Sequence, residues 1–322
     1  MFGEGQVKAR RSYWGGTERR PAKVEGVGAA PRVLFGYFPS PEAAAYRRIL
    51  QNARLVDDLG LDLIGVQDHP YQRRFLDTLT LITAIAIQTK RVRVFTDVAN
   101  LQLRQPALLA KWAASLDVMT DGRVELGLGS GAFTTAVHAM GAEAREGGEA
   151  VSALEEAIAV IRMLWAEQRG ARFNGRFYQL RGVNAGPAPA HPIGIWLGAY
   201  RPRMLSITGR LADGWLPSLG HMNPDALGDA NHRIDEAALA AGRKPSDILR
   251  LYNIGGLITD GESAGFLQGP VDQWVEQLTE LTVDYRMDGY ILGPADDSEQ
   301  QLRRFAEEVA PRVRENVALV KR

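Results

Sequence analysis

From Pro31 onward the chain alternates two kinds of apolar pattern. Short, nearly continuous apolar runs give way to longer segments with apolar residues every three or four positions. Arg32–Phe38 (RVLFGYF) reads as a strand, and Glu42–Leu59 as a helix with Ile49, Ala53, Val56 and Leu59 on one face. Gly60 stops that helix, and Leu61–Gln67 forms the second strand. Phe75–Thr89 is helical, Arg91–Val98 is a third strand, and Pro106–Thr120 is a helix with proline in its first turn. Asp121-Gly122 then turns the chain into a fourth strand, Arg123–Leu128. Strands separated by helices at this spacing build a parallel sheet with right-handed crossovers.

The rhythm breaks over residues 131–190. That stretch holds one clear helix, Glu149–Glu167. A small hairpin follows around Asn174-Gly175, then an extended loop, Gly186–Pro192. Regular alternation resumes with Ile193–Leu197 and the helix Arg203–Leu211. Next come a short strand Gly214–Leu216, a helix over Pro224–Ala241 and the strand Leu249–Ile254. The chain closes with the helix Val271–Thr282, the strand Gly289–Leu292 and the helix Ser298–Val320. Eight such units predict an α/β fold of (β/α)₈ TIM-barrel type with an insertion after strand four, at about 131–190. A doubly wound open sheet is the alternative. Residues 1–30 lack periodicity and carry six basic and three acidic residues, so they read as a flexible N-terminal arm ahead of a barrel over 31–322. Tyr13 and Trp14 would let that arm pack on a neighbour or cover a pocket.

Composition narrows the function mainly by exclusion. Arginine plus lysine equals aspartate plus glutamate at 38 each, so no global charge favours nucleic acid or an anionic membrane. With no cysteine, disulfides, thiolate catalysis and cysteine-ligated zinc are absent. No run of about 18 apolar residues is present, and the charged N-terminus has no apolar core of a secretory signal, so a cytoplasmic location is the expectation.

In a parallel barrel the working residues sit at strand carboxyl ends. Here those ends are rich in glycine, small polar residues and a few titratable groups, which suits close backbone approach to a large flat or phosphorylated ligand. The second strand ends on Asp68-His69. His69 titrates near neutral pH and suits acid/base work, with Asp68 orienting it or holding ligand. An ordinary use is equally open: Asp68 accepting hydrogen bonds from a helix's first turn, and His69 as a half-buried loop residue. Gly127–Ala132 (GLGSGA) fits G-x-G-x-x-G/A only formally, because it follows the fourth strand and opens no helix. It reads as a glycine-rich rim loop, or as a tight turn. Ser130 lacks the G-x-S-x-G spacing of a nucleophile elbow. Trp196–Arg203 (WLGAYRPR) places a glycine and two arginines ahead of a helix, which suits phosphate or a plain turn with solvated arginines. The other histidines show no metal-ligand spacing, so no metal is expected.

Three segments carry a family resemblance: LDLIGVQDHP, VRVFTDVANLQLRQPALLAKWAASLDVMTDGRVELGLGSGA and PIGIWLGAYRPRMLSITGRLADGWLPS. From about Pro31 to the C-terminus the chain resembles the luciferase-like, bacterial luciferase-type flavin and deazaflavin oxidoreductases. The resemblance implies a (β/α)₈ barrel with an insertion after strand four, binding coenzyme F420 or reduced FMN at its C-terminal rim. Asp68-His69 is similar to the deazaflavin branch, where luciferase-type monooxygenases more often carry Glu-His. The same likeness implies a non-proline cis peptide at Asp97–Val98 and ring support by Thr96, Asp97 and Val98. It implies cofactor contacts from Gly129, Ser130, Gly131, Ala132, Gly198, Ala199 and Tyr200, with Arg203 as a phosphate partner and His69 and Asp68 as catalytic residues. Deazaflavin sugar-phosphate dehydrogenases carry Glu just after the glycine-rich loop and Trp a few residues past the histidine; this chain has Ala132 and Arg73. The leading expectation is F420-dependent hydride transfer with a small organic substrate. The alternatives are an FMN-dependent monooxygenase using O₂, and a non-catalytic cofactor-binding barrel. The implied partners are a second copy of the chain and a flavin or F420 reductase, with no nucleic acid and no membrane.

Overall fold

The computed structural model describes residues 32–296 and 298–320. The N-terminal arm expected over residues 1–30 lies outside them. Among the described residues twelve strands are formed: β1 (Leu34–Tyr37), β2 (Leu63–Val66), β3 (Arg93–Thr96), β4 (Ala99–Asn100), β5 (Val124–Gly129), β6 (Ala171–Asn174), β7 (Gln179–Val183), β8 (Ile195–Leu197), β9 (Gly214–Trp215), β10 (Leu249–Ile258), β11 (Gln268–Gly269) and β12 (Gly289–Pro294). The helices are α1 (Tyr46–Asp58), α2 (Thr78–Gln88), α3 (Pro106–Met119), α4 (Thr134–Ala139), α5 (Gly147–Trp165), α6 (Pro202–Leu211), α7 (Leu227–Ala240), α8 (Val271–Val283), α9 (Glu299–Arg303) and α10 (Ala310–Val320). A π-helical segment, Arg304–Val309, joins the last two.

Eight parallel strands run in the order β1-β2-β3-β5-β8-β9-β10-β12, and β12 pairs back with β1. This is a closed (β/α)₈ barrel, not an open sheet. The strands are buried on both faces, as parallel strands covered by helices must be; every residue of β2 and β5 is buried. Alternation along the strands separates two cores. Leu63, Phe95, Trp196, Leu216, Leu251 and Ile291 form an inner cluster drawn from the strands and their ends. Their neighbours Ile64, Val66, Val94, Leu126 and Leu197 turn outward into the larger cluster shared with the helices. Phe95 and Trp196 meet edge to face at 4.9 Å across the interior.

The helices start where their first residues provide caps. Asp77 accepts a hydrogen bond from the Thr80 amide at 2.9 Å before α2, and the Gln105 side chain accepts from the Leu108 amide at 3.0 Å before α3. The turn after α3 needs left-handed backbone at both Asp121 (φ 53°) and Gly122 (φ 86°), which explains the Asp-Gly pair.

Between β5 and β8 lie α4, α5 and the β6–β7 hairpin. α5 packs against α3 and α6, so it takes the place of the fourth barrel helix. The added chain therefore lies on either side of α5. The Glu156 carboxylate on α5 pins the hairpin turn by accepting the backbone amides of Arg176, Phe177 and Tyr178 at 2.8, 2.8 and 3.1 Å. The short helix α4, read as loop in the sequence, has six residues and buries one, Val137, which leaves little periodicity to read.

At the amino end of the barrel, carboxylates receive the entering strands' amides. Asp57 accepts from Lys90, Arg91 and Val92 at 2.8–2.9 Å, Asp62 from Phe35, Asp213 from Ile195 and Asp288 from Arg250. Burial opposes the Asp57 charge, but the three amides and Arg91 overcome it and hold the carboxyl below its ordinary range. Asp117 accepts from the Val124 and His191 amides, and also meets the His191 Nδ1 at 2.8 Å. Glu125 lies 3.6 Å from the His191 Nε2. Burial alone would lower the His191 pKa; Asp117 and Glu125 reverse this and push it up to about 9.

His191 thus has a folded pKa above its ordinary 6.5, so its stabilisation is complete below that value and is lost as pH rises through 9. In denaturant titrations the gap between wild type and His191→Gln should be about 4 kcal/mol at pH 6 and shrink to about 1 kcal/mol above pH 10. A gap independent of pH would contradict a charged clamp.

Candidate active site

The opposite rim is built from the loops that leave the strand carboxyl ends. β3 ends in a non-proline cis peptide, Asp97–Val98, at the bond that the family resemblance implies. Below it, Thr96 is fully buried and donates through Oγ1 to the Gly127 carbonyl at 2.7 Å. Its side chain supports the bulge from inside the wall and is closed to a ligand. Gly127 permits this approach, since a Cβ there would lie 1.9 Å from the Thr96 carbonyl oxygen. The Val98 side chain fits between two further glycines: a Cβ would come within 2.8 Å of it at Gly129 and 3.2 Å at Gly198.

The Asp97 carboxyl points into the barrel, where it is 8% exposed. Its Oδ1 accepts from the Asn253 Nδ2 at 3.0 Å, and the same amide nitrogen reaches the Ser218 Oγ at 3.2 Å. Asn253 stands on β10, and three strands separate β3 from β10 in either direction round the barrel, so this hydrogen bond crosses the lumen. Burial pushes the Asp97 carboxyl up to about 7 against the opposing hydrogen bond from Asn253. Ser218 also bonds Tyr200, whose phenol is raised chiefly by burial. Tyr200 meets the His221 ring edge to face at 5.4 Å.

Asp68 is almost wholly buried, and its carboxylate binds elsewhere than His69. Oδ1 accepts from Arg104 at 2.8 Å; Oδ2 accepts from Arg104 at 3.2 Å and from the Asn100 amide at 3.0 Å. Arg104 also bonds Asp77 at 2.5 Å. Asp68 therefore ties the end of β2 to the segment that leaves the cis peptide. It orients the loop, not the imidazole. His69 is half-buried, stacked on Tyr71 at 5.5 Å and edge-on to Phe133 at 5.5 Å. Burial lowers its pKa, opposed by the Asp68 charge, so the imidazole is neutral at pH 7.

The glycine-rich loop is fastened by Gln102. Its side-chain nitrogen donates to the Gly131 and Arg145 carbonyls at 2.9 and 3.0 Å, and its oxygen accepts from the Arg145 amide. Gly131 has φ 83° and no room for a Cβ, which would meet the Gln102 side chain at 2.7 Å. Ser130 is partly exposed beside it, and Ala132 is exposed. Ala199 is buried and its carbonyl accepts from the Trp215 indole at 2.9 Å. Arg203 is turned to α5, where it bonds the Gly148 carbonyl, Ser152 and Glu155 at 2.9, 2.7 and 3.3 Å. It is committed to protein, so the expected phosphate contact would have to displace these bonds.

The sequence reading brought the ends of β2, β3, β5 and β8 together, and the structure does so. It missed Asn253, Arg104, Gln102, Tyr71 and Phe133. Asn253 had a signal: it is a lone amide inside the apolar run LYNIGG. The others sit in loops, where no periodicity marks a residue. Among the described residues no group of three or more His, Asp or Glu could hold a metal. A planar heteroaromatic cofactor fits the rim better. Val98 offers a partly exposed apolar platform, while two buried polar atoms, Asp97 Oδ2 and Asn253 Oδ1, lack partners among the described residues.

Similarity to known proteins gives this closed barrel, with its glycine-lined rim and an imidazole at the end of β2, its class: an oxidoreductase barrel of the luciferase-like superfamily. The model of the luciferase-like monooxygenase family matches residues 32–317, and the chain belongs to that family. It is 30% identical to an F420-dependent glucose-6-phosphate dehydrogenase of Amycolatopsis mediterranei, over 68% of this chain and 67% of that protein. An F420-dependent secondary alcohol dehydrogenase, solved with an F420-acetone adduct, superposes with a TM-score of 0.77 at 19% identity, covering 88% of this chain and 99% of the other. The FMN-bound oxygenating constituent of 3,6-diketocamphane monooxygenase from Pseudomonas putida superposes with a TM-score of 0.71 at 16% identity, covering 87% and 98%. No helix of the described residues is long and apolar enough to cross a membrane.

Since Asp97 gains its proton from burial, its folded pKa lies above the unfolded value of 3.8. Its contribution to stability is largest below pH 4 and is lost as pH rises through 7. Relative to Asp97→Asn, which mimics the protonated acid, wild type should lose on the order of 4 kcal/mol between pH 4 and pH 8, measured by denaturant unfolding. A constant difference would show that the carboxyl is ionised throughout.

Proposed function

We propose that the chain is an F420-dependent oxidoreductase that exchanges hydride with a small organic substrate at the rim. The carrying observation is His69: a neutral imidazole whose ring nitrogens make no hydrogen bond among the described residues, one strand from the Asp97–Val98 bulge. Support comes from the sequence relatives named for F420. When bound, F420 supplies the hydride acceptor or donor at ring carbon C5. Val98, with Asp97 and Asn253 behind it, would seat the ring, and Gly129–Ala132 and Gly198–Tyr200 would flank it. His69 takes a proton from the substrate hydroxyl in oxidation and returns it in reduction. The FMN reading rests on the likeness to the FMN-bound structure, and would bring O₂ chemistry and a reductase partner.

Fluorescence titration of the protein with F420 and with FMN separates these readings. F420 should bind in preference, and His69→Asn should keep that affinity while lowering kcat about 10²–10⁴-fold. Oxidation should be level at neutral pH and fall only on the acid side of the ordinary imidazole range, as the base becomes protonated. Binding of neither cofactor would defeat the proposal, and cofactor binding with identical behaviour of the variant would leave a non-catalytic barrel.

We also read the protein as a cytoplasmic homodimer. The helices α2 and α3 are joined by a Trp112–Thr83 hydrogen bond at 3.3 Å and expose Ile87, Leu108, Val118 and Met119. In size-exclusion chromatography Leu108→Lys/Met119→Glu should run as a monomer where wild type runs as a dimer; no change in size would reject this face.

A further inference from the structure

The surroundings of His69 restrict what can approach it. Its ring forms a triangle with two aromatics, Tyr71 stacked at an interplanar angle of 22° and Phe133 edge-on at 79°, and these two are 5.9 Å apart. The Tyr71 hydroxyl is buried without a partner among the described residues, so its contribution to His69 is a packed face. Phe133 is 52% exposed, which leaves apolar surface open beside His69. It opens from the glycine-rich loop that Gln102 fixes to Arg145.

Three arginines of this rim are otherwise engaged. Arg104 spans Asp68 and Asp77, Arg203 is held by α5, and Arg145 lies over the Phe177 and Tyr178 rings at 5.5 Å. Arg73 and Arg201 extend into solvent. A phosphate dianion needs several convergent donors, and taking Arg104 from its two carboxylates would leave Asp68 buried and unpaired.

We propose that the substrate of this site is a neutral, apolar secondary alcohol or ketone, with its hydrocarbon part against Phe133 and its oxygen at His69. The proposal rests on the hydride-transfer reading above. In oxidation the carbinol C–H bond breaks and its hydride passes to the deazaflavin oxidant. The O–H bond breaks, its proton goes to a ring nitrogen of His69, and the carbonyl double bond forms. Reduction runs the same steps backward. Phe133 acts as a specificity residue, since an apolar face gives a sugar phosphate nothing in exchange for its lost hydration.

The test is calorimetric titration of the full-length protein with acetophenone and with glucose 6-phosphate, with and without F420. Acetophenone should bind at least about tenfold more tightly, and Phe133→Ala should remove about that factor while leaving F420 fluorescence titrations unchanged. In turnover, 1-phenylethanol should exceed glucose 6-phosphate in kcat/KM by a similar or larger factor. Equal or tighter binding of glucose 6-phosphate, binding of neither compound, or an unaltered acetophenone affinity in Phe133→Ala would overturn the proposal. The F420 titration reports separately on the cofactor: a preserved acetophenone preference without F420 binding would sink the hydride-transfer reading and leave the substrate class standing.

Discussion

The hydrogen bond from Asn253 to Asp97 joins two opposite walls of the barrel at the depth where the lumen meets the rim. Much of the site depends on it. Asp97 begins the cis bulge, Val98 is wedged between Gly129 and Gly198, and Asn253 continues through Ser218 to Tyr200. A buried carboxyl with one partner is costly when charged, so burial favours its protonated form. The strut is therefore a polar crosspiece in an otherwise apolar interior of Phe95, Trp196, Leu216 and Leu251. Its unsatisfied oxygens give a ligand ring something to bind, and its rigidity gives the ring something to rest on.

The two ends of the barrel use carboxylates for different purposes. At the amino end Asp57, Asp62, Asp117 and Asp213 each receive backbone amides, and Asp117 with Glu125 keeps His191 charged. These groups fix the strands. At the carboxyl end Asp68 does similar work for one loop, through Arg104, and so leaves His69 without a carboxylate partner. An imidazole in aromatic surroundings with a lowered pKa is better matched to taking a proton at neutral pH than one clamped by acid. The contrast between His191 and His69 is one of environment alone.

The barrel was legible because helix and strand periodicities differ and the alternation repeats eight times. The rim was legible wherever a strand run ended on glycine or a titratable pair, as at Asp68-His69 and Gly127–Ala132. The family likeness added the cis bond at Asp97–Val98, which periodicity cannot express. Other features were hidden for physical reasons. Gln102 and Arg104 act through contacts 27 to 43 residues away in sequence, and nothing local marks such a pairing. Asp68 bonds Arg104 and the Asn100 amide, not His69, because adjacency in the chain does not make two side chains face each other: consecutive residues leaving a strand point to opposite sides. α5 looked like part of an insertion because the break before it obscured its place as the fourth barrel helix.

The central claim is that the Asp97–Asn253 strut seats the cofactor. A double-mutant cycle tests it most directly, with F420 affinity measured by fluorescence for wild type, Asp97→Ala, Asn253→Ala and the double variant. The account predicts that the two losses are not additive, with a coupling of about 1–2 kcal/mol, because either substitution alone releases the same strut. Strictly additive effects, or affinities that none of the substitutions changes, would contradict it.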